Sequence, residues 1–248
     1  MIIAAAQTIP KRGNISENLE DHYRLINLAA DNSAQLILFP ELSISGYERE
    51  LAESLEFTPG DSRLDGLRNL AVKKNIIIVA GAPIRQESQL FIGAFIFHSN
   101  GSEIIYTKQY LHDGEEVYYS SGVNDCLQIK LDNEAFSVAI CADITNPAHP
   151  LKAASLNSTI YLASIFYTPN GISTGYKDLQ GYSMDLSMNV LMSNFGGPSY
   201  GMEAAGRSAF WNKEGDLSGS LERNGEGLLI VRKKQNIWKS EILMTASL

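Results

Sequence analysis

Cysteine is scarce in this chain: two residues in 248, Cys126 and Cys141. Two cysteines in a chain of this length make no disulfide framework. The expectation is therefore a reducing compartment, the cytoplasm, and reduced thiols. Positive charge is also short, with 20 Lys and Arg against 28 Asp and Glu and a formal net charge of −8. A nucleic-acid footprint needs clustered Lys and Arg. The densest basic stretch, "VRKKQNIWKS", reads instead as a solvated edge strand and tail. Long apolar runs are missing as well. "NIIIVAGAP" is among the longest and is strand-sized, whereas a spanning helix needs about 20 residues. The opening "MIIAAAQTIPKR" lacks the basic segment and longer apolar core of a secretory signal. Neither nucleic acid nor membrane is an expected partner. Histidine is rare, at four residues, and no C-x-x-C, H-x-H or H-E-x-x-H is found, so no metal site is expected.

What is present is a chain 44% hydrophobic, enough to bury a sizeable core. "MIIAAAQ" reads as a short buried strand. "NISENLEDHYRLINLAADNSA" reads as a helix opened by an Asn14–Glu17 capping box, with Leu19, Tyr23, Ile26 and Ala30 on its apolar face. "QLILFP" is a fully apolar strand closed by Pro40, "GDSRLDGLRNLAVKKN" a second helix, and "IIIVAGAP" a third strand. "LFIGAFIFHSNGSEIIYTK" is a hairpin, with Asn100-Gly101 supplying the positive φ angles of its turn. "CLQIKLDNEAFSVAIC" reads as another antiparallel pair. "HPLKAASLNSTIYLASIF" and "YKDLQGYSMDLSMNVLMSNFGG" each read as a helix followed by a strand. The end, "GRSAFWNKEGDLSGSLERNGEGLLIVRKK", is β-rich, with turns at Lys213 to Gly215 and at Asn224-Gly225. No repeat, low-complexity tract or linker interrupts this order. The pattern predicts one α/β domain, residues 1–248, with mixed sheets.

The stretch "SVAICADITNPAHP" carries the first candidate. Apolar alternation runs into Cys141 and stops, which leaves a thiol at a strand tip. A thiol is mostly protonated at neutral pH, so a nucleophilic cysteine needs a base or a cation nearby. His149, between two prolines, is a weak candidate partner. His22 reads as the exposed face of a charged helix, and His98 as a structural strand end. Carboxylates at strand ends are better bases. Glu41 follows "LILFP" directly, where half-burial raises a carboxylate towards working pH; a loop Glu that caps or salt-bridges is the competing reading. Lys108 ends "EIIYTK" in the same way, against the reading of a strand-end Lys that faces water. Glu115 and Glu116 follow an "HDG" turn and, taken alone, are a charged loop. Cys126 opens "CLQIKL" and reads as a small buried residue.

Taken together, Glu41 in "LILFPELSISGY", Lys108 in "YTKQYL" and Cys141 in "VAICAD" resemble the nitrilase superfamily of carbon–nitrogen hydrolases in order and context. The resemblance extends over nearly the whole chain, from "IAAAQT" with Asn18 to "MSNFGGPSYGMEAAGRSAFWNKEGDLSG". It implies a Glu-Lys-Cys triad of Glu41, Lys108 and Cys141. "GEEVYYSSG" resembles the loop in which many members carry a second glutamate, which places it at Glu115, with Glu116 as the off-by-one alternative. The family fold is a four-layer α-β-β-α sandwich, commonly paired into a homodimer or larger assembly. "STGYKDLQGYSMDLSM" resembles one interface helix and fits a core-facing helix equally well. The implied reaction is hydrolysis of a small linear amide, without metal or organic cofactor. An ω-amide, an N-carbamoyl amine and an aliphatic amide are all open as substrates.

In that mechanism Glu41 is the base and Lys108 with the backbone N–H of Ala142 holds the oxyanion. Tyr47 and Phe166 are the further pocket candidates. The chain departs from the family after the cysteine. Many members have Trp or Tyr and then an aromatic-Pro-Glu stretch, where this chain has Ala142, Asp143 and "TNPAHP". Ala142 in place of a large ring disfavours a nitrile substrate relative to an amide. A nitrilase, and a redox-sensing or binding protein that uses Cys141 as a switch thiol, are the competing readings. Glu41 argues against the switch, because an anion raises a thiol pKa unless a cation balances it.

Overall fold

The computed structural model describes residues 1–123 and 126–245. Among these, the strands form two mixed sheets. The first contains β1 (Ile2–Gln7), β2 (Leu36–Leu38), β3 (Ile77–Gln86), β4 (Gln89–Phe97), β5 (Glu103–Thr107), β12 (Gly227–Lys234) and β13 (Ile237–Met244), in the order β13-β12-β1-β2-β3-β4-β5. The second contains β6 (Gln128–Leu131), β7 (Glu134–Ile140), β8 (Ile160–Ser164), β9 (Asn189–Ser193), β10 (Ala209–Trp211) and β11 (Leu217–Ser220), in the order β11-β10-β9-β8-β7-β6. Each sheet has a parallel centre, β1-β2-β3 and β7-β8-β9, flanked by antiparallel strands.

The parallel strands are apolar on both faces because both faces are covered. Along β1, Ile3 and Ala5 point into the core shared with the second sheet, while Ala4 and Ala6 point into a separate core beneath the helices. β3 repeats the alternation, with Ile77 and Val79 on one side and Ile78, Ala80 and Ala82 on the other. Helices α1 (Ile15–Asp31) and α2 (Asp65–Lys74) cover the outer face of the first sheet. Three helices follow β7: α3 (Ala142–Thr145), α4 (Ala148–Ser155) and α5 (Ile172–Asp185). Of these, α3 packs on β7 and α5 on β9 and β10. The layers therefore run α-β-β-α. At the carboxyl ends of the central strands the sheets are stitched together: the Ser164 hydroxyl donates to the Phe39 carbonyl at 2.9 Å, and the Ser193 hydroxyl donates to that of Ala6.

Several local expectations need correction. Asn14 caps α1 through the Glu17 N–H, at 3.2 Å, but the buried stripe is Asn18, Leu19, His22, Leu25, Ile26 and Ala29. Tyr23 and Ala30 lie at its margin. His22 is buried, not exposed. Its ring stacks on Phe39 with centroids 4.1 Å apart, and its nitrogens meet the Asn18 carbonyl at 2.6 Å and Ser43 Oγ at 2.9 Å. Burial lowers its pKa to about 4, so the ring stays neutral. A polar residue on a charged helix is indistinguishable by pattern from a solvated one, and only the stack on Phe39 separates them. In the β4–β5 turn only Gly101 has positive φ. Asn100 contributes instead through its side-chain oxygen, which accepts from Ser102 N at 2.9 Å. The basic stretch starts on β12, an interior strand, and Lys233 pairs there with Glu134 of the second sheet; only β13 is an edge.

Gly81, in β3, lets the segment after β2 pass against the sheet. A Cβ at this position would lie 2.4 Å from Leu42 N and 2.8 Å from the Pro40 carbonyl. Both contacts are backbone, so neither yields easily. Gly81→Ala should cost about 1–3 kcal/mol of stability in urea unfolding. Gly181, inside α5, meets nothing within 4 Å, and Gly181→Ala should be neutral or stabilise by up to about 1 kcal/mol. Equal effects at the two glycines would overturn this reading of Gly81.

Candidate active site

Three chain segments converge where the central strands end. β2 runs into Phe39-Pro40-Glu41, held by Phe39 N–H on the Val79 carbonyl at 2.9 Å and Ile44 N–H on that of Gly81 at 3.0 Å. Lys108 leaves β5, its N–H on the Ile92 carbonyl at 2.9 Å and its own carbonyl taken by Gly122 N–H at 2.7 Å. β7 ends at Ile140 and delivers Cys141. Glu115 closes a tight turn in which its N–H reaches the His112 carbonyl at 3.0 Å and its Oε2 accepts from His112 N–H at 2.8 Å.

The side chains form a buried charge ladder. The Lys108 ammonium donates to Glu41 Oε1 at 2.7 Å and to both oxygens of Glu115 at 2.8 Å, with all three side chains fully buried. Glu115 also accepts from the Tyr47 hydroxyl at 2.5 Å. Burial disfavours its charge, but Lys108 and these hydrogen bonds outweigh that and hold it below the ordinary glutamate range. Glu41 is served less well. Burial pushes it up, Lys108 pulls it down and the Glu115 charge pushes it up again, which leaves it at about 7. Its Oε2 has no nitrogen or oxygen partner, and the Cys141 thiol is the neighbouring hydrogen-bonding group. Lys108 is pulled down by burial, but Glu41, the Cys141 sulfur and Glu115 prevail and keep it above an ordinary lysine. The two carboxylates thus divide into a firmly ionised one and one poised near neutrality. Glu116, one residue on, is exposed.

Cys141 sits at φ +42°, ψ −94°. This conformation costs a non-glycine residue about 1–3 kcal/mol and needs surrounding structure to impose it. That structure is local. Cys141 N–H bonds the Ser164 carbonyl at 3.0 Å, and Ile144 N–H takes the Cys141 carbonyl at 3.0 Å. Asp143 supplies the rest. Its buried carboxylate accepts from Ile140 N–H at 2.9 Å, the Tyr106 hydroxyl at 2.7 Å, Gln109 N–H at 2.9 Å and Tyr110 N–H at 3.0 Å. One side chain therefore ties the cysteine turn to the loop that carries Lys108. Burial and Glu41 raise the thiol well above its ordinary pKa, against the pull of Lys108. Ala142 opens α3, and its N–H is one of the donors a helix start leaves without an intrahelical acceptor.

A buried Glu-Lys-Glu ladder beside a strained cysteine is a set-up for acyl transfer through sulfur. The family model described as carbon-nitrogen hydrolase matches residues 2–239. The chain belongs to the carbon–nitrogen hydrolase family. A probable nitrilase of Schizosaccharomyces pombe is 28% identical over 62% of this chain and 61% of its own length. A glutamine-dependent NAD(+) synthetase of Acinetobacter baylyi is 27% identical over 87% of this chain. The chain spans only 41% of that synthetase. Among solved structures, an amidase from Nesterenkonia sp. AN1 superposes with a TM-score of 0.86 at 23% identity, over 94% of this chain and 93% of that one. In that structure acrylamide has added to the active-site cysteine of a variant.

Within this carbon–nitrogen hydrolase fold, the residues singled out from the sequence lie together. Tyr47 reaches Glu115 with its hydroxyl and packs its ring 5.1 Å from that of Phe166. The Phe166 carbonyl lies 3.9 Å from Cys141 Sγ. His149 does not pair with the thiol. It bridges the Tyr106 hydroxyl at 2.9 Å and the Tyr161 hydroxyl at 2.7 Å. The histidine that meets the sulfur is His112, with Nε2 3.2 Å from Sγ. Its pKa is lowered by burial and by Lys108, so it faces the thiol as a neutral ring. No spacing rule pointed to His112, which belongs to the turn built around Glu115. In the sequence Asp143 stands out only as a departure from the family's aromatic-Pro-Glu pattern, yet it holds the turn together.

Asp143→Asn should separate these roles. The amide keeps the volume but puts an N–H₂ against N–H or O–H donors that now meet a carboxylate oxygen. The expected loss is about 1–3 kcal/mol of stability, read as a lower melting temperature. The alkylation rate of Cys141 by iodoacetamide should also change, because the strained turn relaxes. A wild-type melting curve and alkylation rate in Asp143→Asn would remove Asp143 from the positioning of Cys141.

Proposed function

We propose that this chain is an amidase that hydrolyses a small linear amide through a Cys141 thioester. The single observation that carries the reading is the Lys108 ammonium shared between Glu41 and Glu115 beside the Cys141 thiol. Glu41 Oε2 takes the thiol proton as Sγ attacks the amide carbonyl carbon. The carbonyl oxygen becomes an oxyanion between the Lys108 ammonium and the Ala142 N–H. Each such donor is worth about 3 kcal/mol, or over 100-fold in rate. Protonated Glu41 passes its proton to the leaving nitrogen, the C–N bond breaks, and ammonia or an amine departs. A water then adds to the thioester, with its proton going to Glu41. The collapsing intermediate expels the thiolate, which recovers a proton from Glu41. Glu115 keeps Lys108 charged and in place. The name of the NAD(+) synthetase relative and the acrylamide adduct of the Nesterenkonia sp. AN1 amidase both favour an amide over a nitrile.

Cys141→Ala should abolish ammonia release from amides while the melting curve stays near wild type, whereas Cys126→Ser should retain most of the activity. Retained turnover in Cys141→Ala would sink the nucleophile assignment. Lys108→Arg should be as poor as Lys108→Ala, because a planar guanidinium cannot place a point charge at the oxyanion.

The two carboxylates predict different failures. Glu41→Gln can neither accept the thiol proton nor protonate the leaving nitrogen, so no acyl group should accumulate on Cys141 from an amide substrate. Glu115→Gln should acylate and then stall, visible by mass spectrometry as an added acyl group. The pH dependence follows from the Glu41 environment. The base must be ionised, so acylation should fall as pH drops through about 7, the value to which its surroundings raise Glu41. Glu115 raises that pKa through its negative charge. Its removal in Glu115→Gln should therefore shift the acid limb of acylation to lower pH. A shift to higher pH would contradict the assignment of Glu41 as the base.

A further inference from the structure

Arg49 is a cation that this chemistry does not use. It follows Tyr47 by two residues, at the start of a short 3₁₀ stretch, Arg49–Ser54. Its guanidinium lies 4.5 Å from the centroid of the Tyr200 ring and 5.7 Å from that of Tyr47. Nη1 donates to the Asp113 carbonyl at a long 3.4 Å and backs onto Gly114, where a Cβ would lie 3.2 Å from it. Nε is buried and has no hydrogen-bond partner. Among the described residues Arg49 forms no ion pair, although Arg12, Arg63, Arg68 and Arg85 each pair with a carboxylate.

The position adjoins the turn that meets Cys141. Asp113 and Gly114 belong to the turn from His112 to Glu115, and His112 Nε2 touches Cys141 Sγ at 3.2 Å. Tyr47, on which the guanidinium rests, bonds Glu115. The Arg49 charge is felt by both His112 and Tyr119, which line the same turn. The neighbouring anions are otherwise engaged. Glu115 is held by Lys108, Glu48 by Arg12 and the Tyr200 N–H, and Glu50 accepts from the Tyr200 hydroxyl at 3.3 Å. A half-buried guanidinium with an unmet Nε–H, set against two aromatic rings and hydrogen-bonded to Tyr200, has the chemistry to receive a carboxylate, which takes parallel N–H bonds from such a group.

We propose that Arg49 binds a carboxylate of the substrate, and that the amide cleaved at Cys141 is the monoamide of a short dicarboxylic acid. The assignment rests on the amidase reading given above and adds the substrate class to it. An anionic substrate must approach a chain of net charge −8. A local cation beside the site offsets that repulsion where it counts, at the point of contact.

Alkylation of Cys141 tests the site without requiring turnover. Glutarate, a dicarboxylate with no scissile bond, should protect Cys141 of the wild-type chain from iodoacetamide in a saturable way. Arg49→Met keeps the stem but removes the charge, and protection should weaken at least 10-fold. Arg49→Lys should recover part of it. In parallel, ammonia release is compared for monoamides of C4 and C5 dicarboxylic acids and for neutral amides of equal length. The wild type should prefer the acid monoamides, mainly through KM, and the preference should collapse towards equality in Arg49→Met. Undiminished protection in a folded Arg49→Met, or no protection of the wild type while neutral amides are turned over, overturns the Arg49 assignment and leaves the amidase reading standing. Arg49-dependent protection with no amide turned over supports the carboxylate site and overturns the amidase reading instead.

Discussion

The structure depends on one shared cation. Lys108 is fully buried and donates to two carboxylates at 2.7 and 2.8 Å. Each ion taken out of water costs several kcal/mol, and attraction repays that only when the geometry is close and the spare donors are satisfied. The ammonium has three N–H bonds to give, and two carboxylates accept them. Removing Lys108 would strand two buried carboxylates. The ladder thus binds the loop after β2, the end of β5 and the Glu115 turn into one unit, with Tyr47 and the His112 N–H completing the Glu115 shell. It is poor as a source of net stability and strong as a constraint on geometry.

The fold supplies the two sides of that unit from different sheets. β2 and β7 are parallel-sheet strands, and each ends where its sheet meets the other. Carboxyl ends of parallel strands are where open α/β sheets build their sites, because the chain must leave the sheet there. Here one end gives Glu41 and the other Cys141, the proposed base and nucleophile. The Cys141 turn is strained, and Asp143 holds the strain by gathering donors from β5, from the loop after Lys108 and from Ile140. The thiol and the ammonium are therefore positioned by the same carboxylate, although neither touches it.

Much of this was legible in the chain. Strands buried on both faces read as unbroken apolar runs, so "LILFP" and "NIIIVAGAP" were visible as interior strands. Residues at the tips of such strands stood out by abrupt change of polarity, which is why Glu41, Lys108 and Cys141 could be named. Glu115 was placed by resemblance, and its burial beside exposed Glu116 agrees with that register. What stayed hidden has a common cause. His22, Asp143, His112 and Arg49 act through contacts with residues far along the chain or across a turn, and periodicity reports only on a residue's own element. A buried histidine stacked on Phe39 and a solvent-facing one have the same pattern. Arg49 has no local signature at all. Its meaning lies in what surrounds it: two rings, a turn and, among the described residues, no ion-paired carboxylate.

The charges of the site explain why one cation is enough. At rest Glu41 and Glu115 are negative and Lys108 is positive, which leaves one net negative charge. Moving the thiol proton to Glu41 neutralises the carboxylate and creates a thiolate, so the net charge is unchanged. In the proposed reaction, attack on an amide then transfers that negative charge to the carbonyl oxygen, again without changing the total. The buried site never has to create or lose a charge, which in a low-dielectric interior would be the costly event. It shifts one charge among neighbours of Lys108, from Glu41 Oε2 to Sγ to the oxyanion. Glu115 is the fixed anion that keeps Lys108 protonated through all of it. A second cation within bonding distance of Cys141 would favour the thiolate too strongly and hold the charge on sulfur. Arg49 reaches the Asp113 carbonyl while His112 meets the sulfur, so the proposed carboxylate site stands apart from the proton transfers.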